Sequence, residues 1–394
     1  MPIDDQVPIT RYRWLDALRG VGATAVLLEH MTYRFLPDLR PTWFNMGNYG
    51  VLVFFLVSGY IIPASLERRG DVRAFWVGRL FRLYPLYVLT IAIVVAMTPI
   101  QPLRANIDPI GHITMLMEVT GSWAFTEPMW TLSYEMVFYL LVTALFVAGV
   151  HRRSGLFALS FAALSVLVAF VMPARGLLGG PVVPVVVLAV IAAGLGGVLF
   201  GAGRVRTAGA AALGVLAIGL IVVGSRVPWQ GAMVLAVMFT GTVIYRWERG
   251  EASGMWPILG VAFLVCLTPF MKPVTVNGMA NLMTVALAAG TFGLFYALRG
   301  RRIPYALAWL GLISYSVYML HMPVLRIFFL VMGNPLRFPP LVQLGLGLAV
   351  LAGVCGVSWL TYRFVELPMQ RLGRRLAKRR PAAPTPARER ITIP

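Results

Sequence analysis

Apolar runs of membrane-spanning length recur along the whole chain, and they leave a helical bundle in lipid as the architecture to expect. Such runs lie at about 14–36, 48–66, 80–99, 132–150, 155–172, 182–200, 208–224, 229–245, 255–271, 280–298, 306–332 and 341–364. Of the 394 residues, 59% are hydrophobic and only 12% charged. A soluble domain carries about 25% charged residues. The fold class read from these runs is all-α: a polytopic transmembrane bundle of about ten to twelve spans. Residues 1–13 form a short N-terminal segment and 14–368 the membrane domain. Residues 369–394, basic and then rich in Pro and Ala, read as a disordered tail. No cleavable signal peptide is expected from the polar N-terminus. Only the 100–129 region reads as a long extramembrane segment.

The net charge of +19 is a topology signal. If the N-terminus faces the cytoplasm, the alternating loops place 26 of the 34 basic residues inside. They are Arg11, Arg13 and Arg19, those of the 68–82 loop, the pairs Arg152/Arg153, Arg204/Arg206 and Arg246/Arg249, the cluster at 299–302, and those from Arg363 onward. That asymmetry puts both termini in the cytoplasm. It also argues against nucleic acid as the partner and for a bilayer with anionic lipid. Arg outnumbers Lys by 32 to two, which with the abundant Ala, Gly and Val points to a GC-rich bacterial genome and a bacterial cell membrane. Cys266 and Cys355 sit in apolar runs and read as thiols, not as a disulfide or metal pair.

Against this apolar background the first run, WLDALRGVGATAVLLEHMTYRFL, is anomalous because it holds Asp16, Arg19, Glu29 and His30. Ionisable groups at membrane depth are costly and line sites or pathways. Arg19 and His30 are eleven positions apart. That is close to three helical turns, so both fall on nearly one face, about 16 Å apart along the axis. Arg19 is expected near one membrane face and His30 at mid-depth, where a neutral imidazole serves as a general base. The bland alternative is an interhelical hydrogen bond for His30 and a snorkelling Arg19.

Four other segments carry polar groups into apolar surroundings. In FWVGRLFRLYPLY, Arg79 and Arg82 share a helix side. With Tyr84 beside them, they suit the phosphates and adenine of a nucleotide-bearing donor as well as simple topology marking. MWTLSYEM brings Trp130, Ser133 and Glu135 to the start of the fourth run, and Glu135 wants a partner there. LGLISYSVYMLHMPV places Ser314, Tyr318 and His321 on one face at i, i+4 and i+7. NMGNYGVLVFFLVSGYII is punctuated by Gly50 and Gly59, which permit close helix packing. No hydrolase elbow and no metal-ligand spacing is present, so no metal or cofactor is expected.

The ordered set LDALRG with His30, GVLVFFLVSGYII, RLFRLYP, WTLSYE, ISYSVYMLHMPV and SWLTYRFVELP, ending in Glu366 and Pro368, resembles the acyltransferase-3 family of integral-membrane O-acyltransferases. The motifs run across 14–368, and 150–300 carries none of them. The resemblance implies transfer of an acyl group from acyl-CoA, as co-substrate, to a hydroxyl. It also implies that the family's arginine–histidine pair falls on Arg19 and His30, its paired arginines on Arg79 and Arg82, and its Trp–Ser/Thr–Leu–Glu motif on 130–135. Family members are described with about ten spans, against twelve here, and no appended hydrolase-like domain is expected. The mechanism it suggests has Arg79 and Arg82 hold CoA, Arg19 line the thioester's path and His30 deprotonate the acceptor. Glu135 or another buried carboxylate orients the imidazole. Asp16, Trp130, Ser133, Ser314, Tyr318, His321 and Glu366 are supporting polar groups. The acceptor is expected to be a sugar-containing or macrolide-type secondary metabolite. The alternatives are a cell-envelope glycan or, in a different class, a proton-coupled transporter or flippase.

Overall fold

Each of the twelve apolar runs is a helix in the computed structural model. It describes residues 12–100, 102, 106–171, 177–251, 254, 256–271 and 278–378, with side chains 267–271 also excepted. The helices are α1 (Arg13–Phe35), α2 (Met46–Arg69), α3 (Val72–Ala96), the short α4 (Pro109–Ile113), α5 (Trp130–Val147), α6 (Ser154–Val171) and α7 (Val182–Phe200). They continue with α8 (Gly203–Gly219), α9 (Pro228–Glu248), α10 (Trp256–Met271), α11 (Gly278–Ala297), α12 (Tyr305–Met332), α13 (Pro340–Thr361) and α14 (Leu367–Ala377). The described residues contain no strand. Among the described residues, ten helical stretches are long and apolar enough to cross a membrane. The first run is not among them, because Arg13, Asp16, Arg19, Glu29 and Arg34 interrupt it. The 255–271 run also falls short, because α10 is only 16 residues long. The basic tail beyond residue 378 and the first eleven residues lie outside the described residues.

Local chemistry sets the turn between α2 and α3. Gly70 ends α2 in the left-handed conformation at φ +63°, which favours glycine. Asp71 then caps α3, its carboxylate accepting from the Arg73 and Ala74 backbone N–H groups.

Contacts between helices fix their directions. Gly20 of α1 meets Gly311 of α12, His30 meets His321, and Phe35 meets Phe328 and Phe329. The nearly constant offset makes α1 and α12 parallel. A Cβ on Gly311 would lie 1.9 Å from the Asp16 carbonyl oxygen, so only glycine permits this approach. α1 and α2 run antiparallel, with Gly50 against Gly22 and Gly47 against Glu29. α2 and α9 run parallel, since Gly59 abuts Met238 and Glu67 pairs with Arg246. These directions match a chain that crosses at every one of the twelve runs.

The same contacts gather the arginine-rich loops at one end. Arg246 pairs with Glu67 and donates to the His151 carbonyl at 3.0 Å, while Arg299 pairs with Glu248 at 3.0 Å. α14 packs against α3 at this end, with Gly373 against Phe81. At the opposite end the 106–129 segment folds into the mouth of the bundle. Met115, Leu116, Met117 and Val119 are fully buried there. His112 anchors the segment: Tyr87 donates to its Nδ1 at 2.7 Å, and its Nε2–H donates to the Trp123 carbonyl at 3.0 Å. Burial pushes the His112 imidazole below its ordinary pKa, in keeping with that neutral tautomer.

Candidate active site

His30 lies within two turns of the C-terminal end of α1, nearer that end than the mid-depth expected, and its side chain keeps 24% exposure. Its Nδ1 is 2.9 Å from the Val26 carbonyl, which only accepts, so Nδ1 donates there and Nε2 is left to face the site. Nε2 faces the Glu127 carboxylate at 3.6 Å. Glu127 opens the turn that leads into α5 and was not singled out from the sequence. Its only sequence signal is its place three residues ahead of Trp130.

The His321 ring stands 5.1 Å from that of His30. It is fully buried, with Nδ1 bonded to the Val317 carbonyl at 3.0 Å and Nε2 without a hydrogen-bond partner. Tyr318, one turn away, donates to the Pro128 carbonyl at 3.0 Å and lies 2.8 Å from the Thr131 hydroxyl. α12 is thus tied to the start of α5 beside the two imidazoles. Ser314 does not join this group, because its hydroxyl donates to the Gly311 carbonyl of its own helix. The neighbouring Ser316 instead donates to Glu366 and accepts from Thr361. Glu366 is buried in the π-helical turn between α13 and α14, within electrostatic reach of Arg19 and Arg82.

Arg19 and Arg82 line a narrow cleft of about 60 Å³ together with Ser58, Thr131, Glu135, Tyr315 and Tyr318. Neither arginine makes a direct ion pair among the described residues, although Arg19 lies in the fields of Asp16, Glu135, Glu366 and Arg82. Arg79 is placed differently. Buried, it donates to the Ser65 hydroxyl at 2.7 Å and sits 5.3 Å from the ring centres of both Phe75 and Tyr139. Tyr84 turns away from both arginines and donates to the Ile113 carbonyl at 2.6 Å. Glu135 accepts from the Tyr139 hydroxyl and lies on the Arg19 cleft, while the carboxylate against His30 is Glu127. The Ser133 hydroxyl accepts from the Glu118 backbone N–H at 3.1 Å and so holds the inserted segment on α5. Glu29 is taken up by Arg40 at 2.9 Å.

A second, larger cavity of about 550 Å³ opens at the end away from the arginine-rich loops. Glu127 and Trp130 belong to its wall, which puts His30 beside it, while His321 lies 6.2 Å from the ring of Tyr318 on the arginine cleft. Cys266 and Cys355 are unpaired and half-buried.

An ionisable first helix, two facing imidazoles and a guanidinium cleft are assembled from motifs spread across the chain, and a known family's sequence profile spans nearly all of it. The sequence profile described as an acyltransferase domain covers residues 12–363. The chain belongs to the acyltransferase-3 family. Similar proteins include the acyltransferase MdmB of Streptomyces mycarofaciens, 29% identical over 150 residues, which are 34% of this chain and 38% of MdmB. The O-acetyltransferase OatA of Staphylococcus aureus (strain NCTC 8325) is 28% identical over 159 residues, covering 35% of this chain and 25% of OatA. A putative O-acetyltransferase of Staphylococcus aureus (strain COL) is 26% identical over 155 residues, 34% of this chain and 24% of that protein. The chain therefore matches well under half of each relative's length. As a member of this family with ten helices of spanning length and composition among the described residues, the chain has the makeup of a multi-pass membrane protein.

Proposed function

We propose that the protein transfers an acyl group from acyl-CoA to a hydroxyl of a saccharide-bearing acceptor. The observation that carries this is the place of His30, whose Nε2 faces Glu127 of the roomy cavity while its neighbour His321 stands beside Tyr318 of the guanidinium cleft. The donor enters from the arginine-rich end, which the excess of basic residues assigns to the cytoplasm. Arg82 and Arg19 meet its phosphates and line the path of its pantetheine arm. The acceptor enters by the larger cavity. An opening at the end away from the basic loops favours an envelope glycan over the secondary metabolite expected from sequence alone.

In the reaction, the acceptor oxygen bonds to the thioester carbonyl carbon while His30 Nε2 takes the hydroxyl proton. The carbon–sulfur bond then breaks, and the imidazolium returns the proton to the departing CoA sulfur. Ester and free CoA leave, and the histidine is again neutral. The Val26 carbonyl holds the tautomer, and the Glu127 carboxylate stabilises the transient imidazolium. General-base catalysis of this kind contributes about 10²–10⁴-fold. His30→Ala is expected to lose at least that in kcat while the purified protein still binds acyl-CoA. Transfer at the wild-type rate by that variant would discard the reading.

A further inference from the structure

The 550 Å³ cavity carries chemistry that acyl transfer alone does not require. Two indoles, Trp123 and Trp130, are part of its wall. The same wall carries a carboxylate, a guanidinium and an amide: Glu118, Arg226 and Gln230. Arg226 is fixed on three sides. It stacks on Trp123 with its guanidinium carbon 3.7 Å from the ring centre, donates to the Ser122 carbonyl at 2.9 Å and lies 3.7 Å from Glu118. Flat apolar faces beside planar bidentate donors and acceptors are what a sugar ring needs, with its apolar C–H face and vicinal hydroxyls. The volume falls in the range of small-ligand sites, about 300–1,000 Å³.

The charge balance narrows the ligand further. Among the described residues, Arg34 and Arg326 join Arg226 in the wall, giving three guanidinium groups against the two carboxylates Glu118 and Glu127. Arg34 packs over the Phe329 ring at 5.2 Å and makes no ion pair among the described residues. Burial also pushes the Glu118 carboxyl up to about 7, with Arg226 opposing that rise and Tyr134 of α5 facing it from the other side. Near neutral pH Glu118 is therefore only partly ionised, and the wall is cationic.

We propose that this cavity is the acceptor subsite and that it takes a saccharide carrying an anionic group, carboxylate or phosphate, close to the hydroxyl that is acylated. The ring stacks on the Trp130 indole, its hydroxyls meet Glu118, Arg226 and Gln230, and the anion meets Arg34 and Arg326. This inference rests on the transferase reading, and its test is built to separate the two.

The full-length protein, purified in detergent, is titrated with cellobiouronic acid and with cellobiose, which differ by one carboxylate. Tryptophan fluorescence and calorimetry report binding. The acid is expected to bind about tenfold tighter at pH 6, as one charge-assisted contact provides. The preference should shrink in Arg34→Gln and vanish in the double variant Arg34→Gln/Arg326→Gln. As pH rises from 6 to 8, Glu118 loses its proton and adds negative charge, so the acid should bind more weakly. Glu118→Gln should flatten that trend, which separates it from any contribution by His30 and Glu127. A third titration, with cellobiose 6-phosphate, tells phosphate from carboxylate, and tighter binding of either anion supports the proposal. Equal affinity for acid and neutral sugar, no binding of any of them, or a preference intact in the double variant overturns it. Acyl transfer is followed in the same preparation: transfer indifferent to acceptor charge defeats the charge inference alone. Anion-selective binding without transfer upholds the subsite and defeats the transferase reading.

Discussion

Arg79 and Arg82 look equivalent in RLFRLYP, three residues apart on one helix side, yet their surroundings divide the labour between them. The Arg79 guanidinium is enclosed by Ser65, Phe75 and Tyr139, so its charge is satisfied within the fold. Removing it takes a charge-assisted donor from the Ser65 hydroxyl and a cation from two ring faces, a loss that destabilises by about 1–3 kcal/mol. Arg82 instead faces the cleft beside Arg19 with no ion pair among the described residues. Arg82→Gln is therefore expected to raise KM for acyl-CoA about tenfold or more with little change in Tm, because a charge-assisted phosphate contact is lost. Arg79→Gln should chiefly lower Tm. Steady-state kinetics and thermal unfolding of the two variants check this, and interchanged phenotypes would reverse the assignment. Spacing alone made the two arginines a pair, since periodicity reports which side of a helix a residue occupies and not what covers that side. Glu135 and Glu127 teach the same lesson. The acid buried in the apolar motif was legible, whereas the one that reaches His30 sits in a loop whose path no period encodes.

At the level of elements, α1 and α12 carry the site jointly, and their glycines decide whether it exists. Gly20 and Gly311 let the two backbones touch, and the parallel register then brings His30 to His321. A side chain on Gly311 meets the Asp16 backbone oxygen, which cannot rotate away. Gly311→Leu should push the helices apart, costing about 1–3 kcal/mol or more, as overpacking does, and should abolish transfer by separating the imidazoles. Gly353→Leu is the control: a Cβ there meets nothing within 4 Å, so Tm and activity should both stay near wild type. Gly311→Leu with unchanged activity would mean the α1–α12 contact does not set the site. Helix existence was legible throughout, because a long apolar run in lipid has few alternatives. Helix pairing was not, since glycine marks a close approach without naming the partner. The 106–129 segment shows the other limit. Its buried core of Met115, Leu116, Met117 and Val119 is too short and too broken by turns to show any period, and its anchor on Tyr87 and Ser133 depends on tertiary structure.

For the whole molecule the governing feature is that its two ends differ. The arginine-rich loops meet at one end through Arg246, Glu67, His151, Glu248 and Arg299, while the cavity with the two indoles opens at the other. This sidedness was legible as a charge count, because each loop of a polytopic chain inherits its side from its neighbours. The parallel packing of α1 on α12 and of α2 on α9 agrees with that count, since helices separated by an even number of crossings point the same way. What the charge count predicts beyond the geometry is which end meets the cytoplasm. Asp38 and Arg301 are both exposed, near opposite ends of the bundle. With Cys266 and Cys355 replaced by Ala, a membrane-impermeant maleimide applied to intact cells should label Asp38→Cys and spare Arg301→Cys until the membrane is opened. The reverse pattern would invert the assignment, with donor and acceptor exchanging sides. Labelling of both positions from outside would break the two-ended architecture itself. It would also undo the separation of the CoA cleft from the acceptor cavity, on which direct transfer at His30 depends.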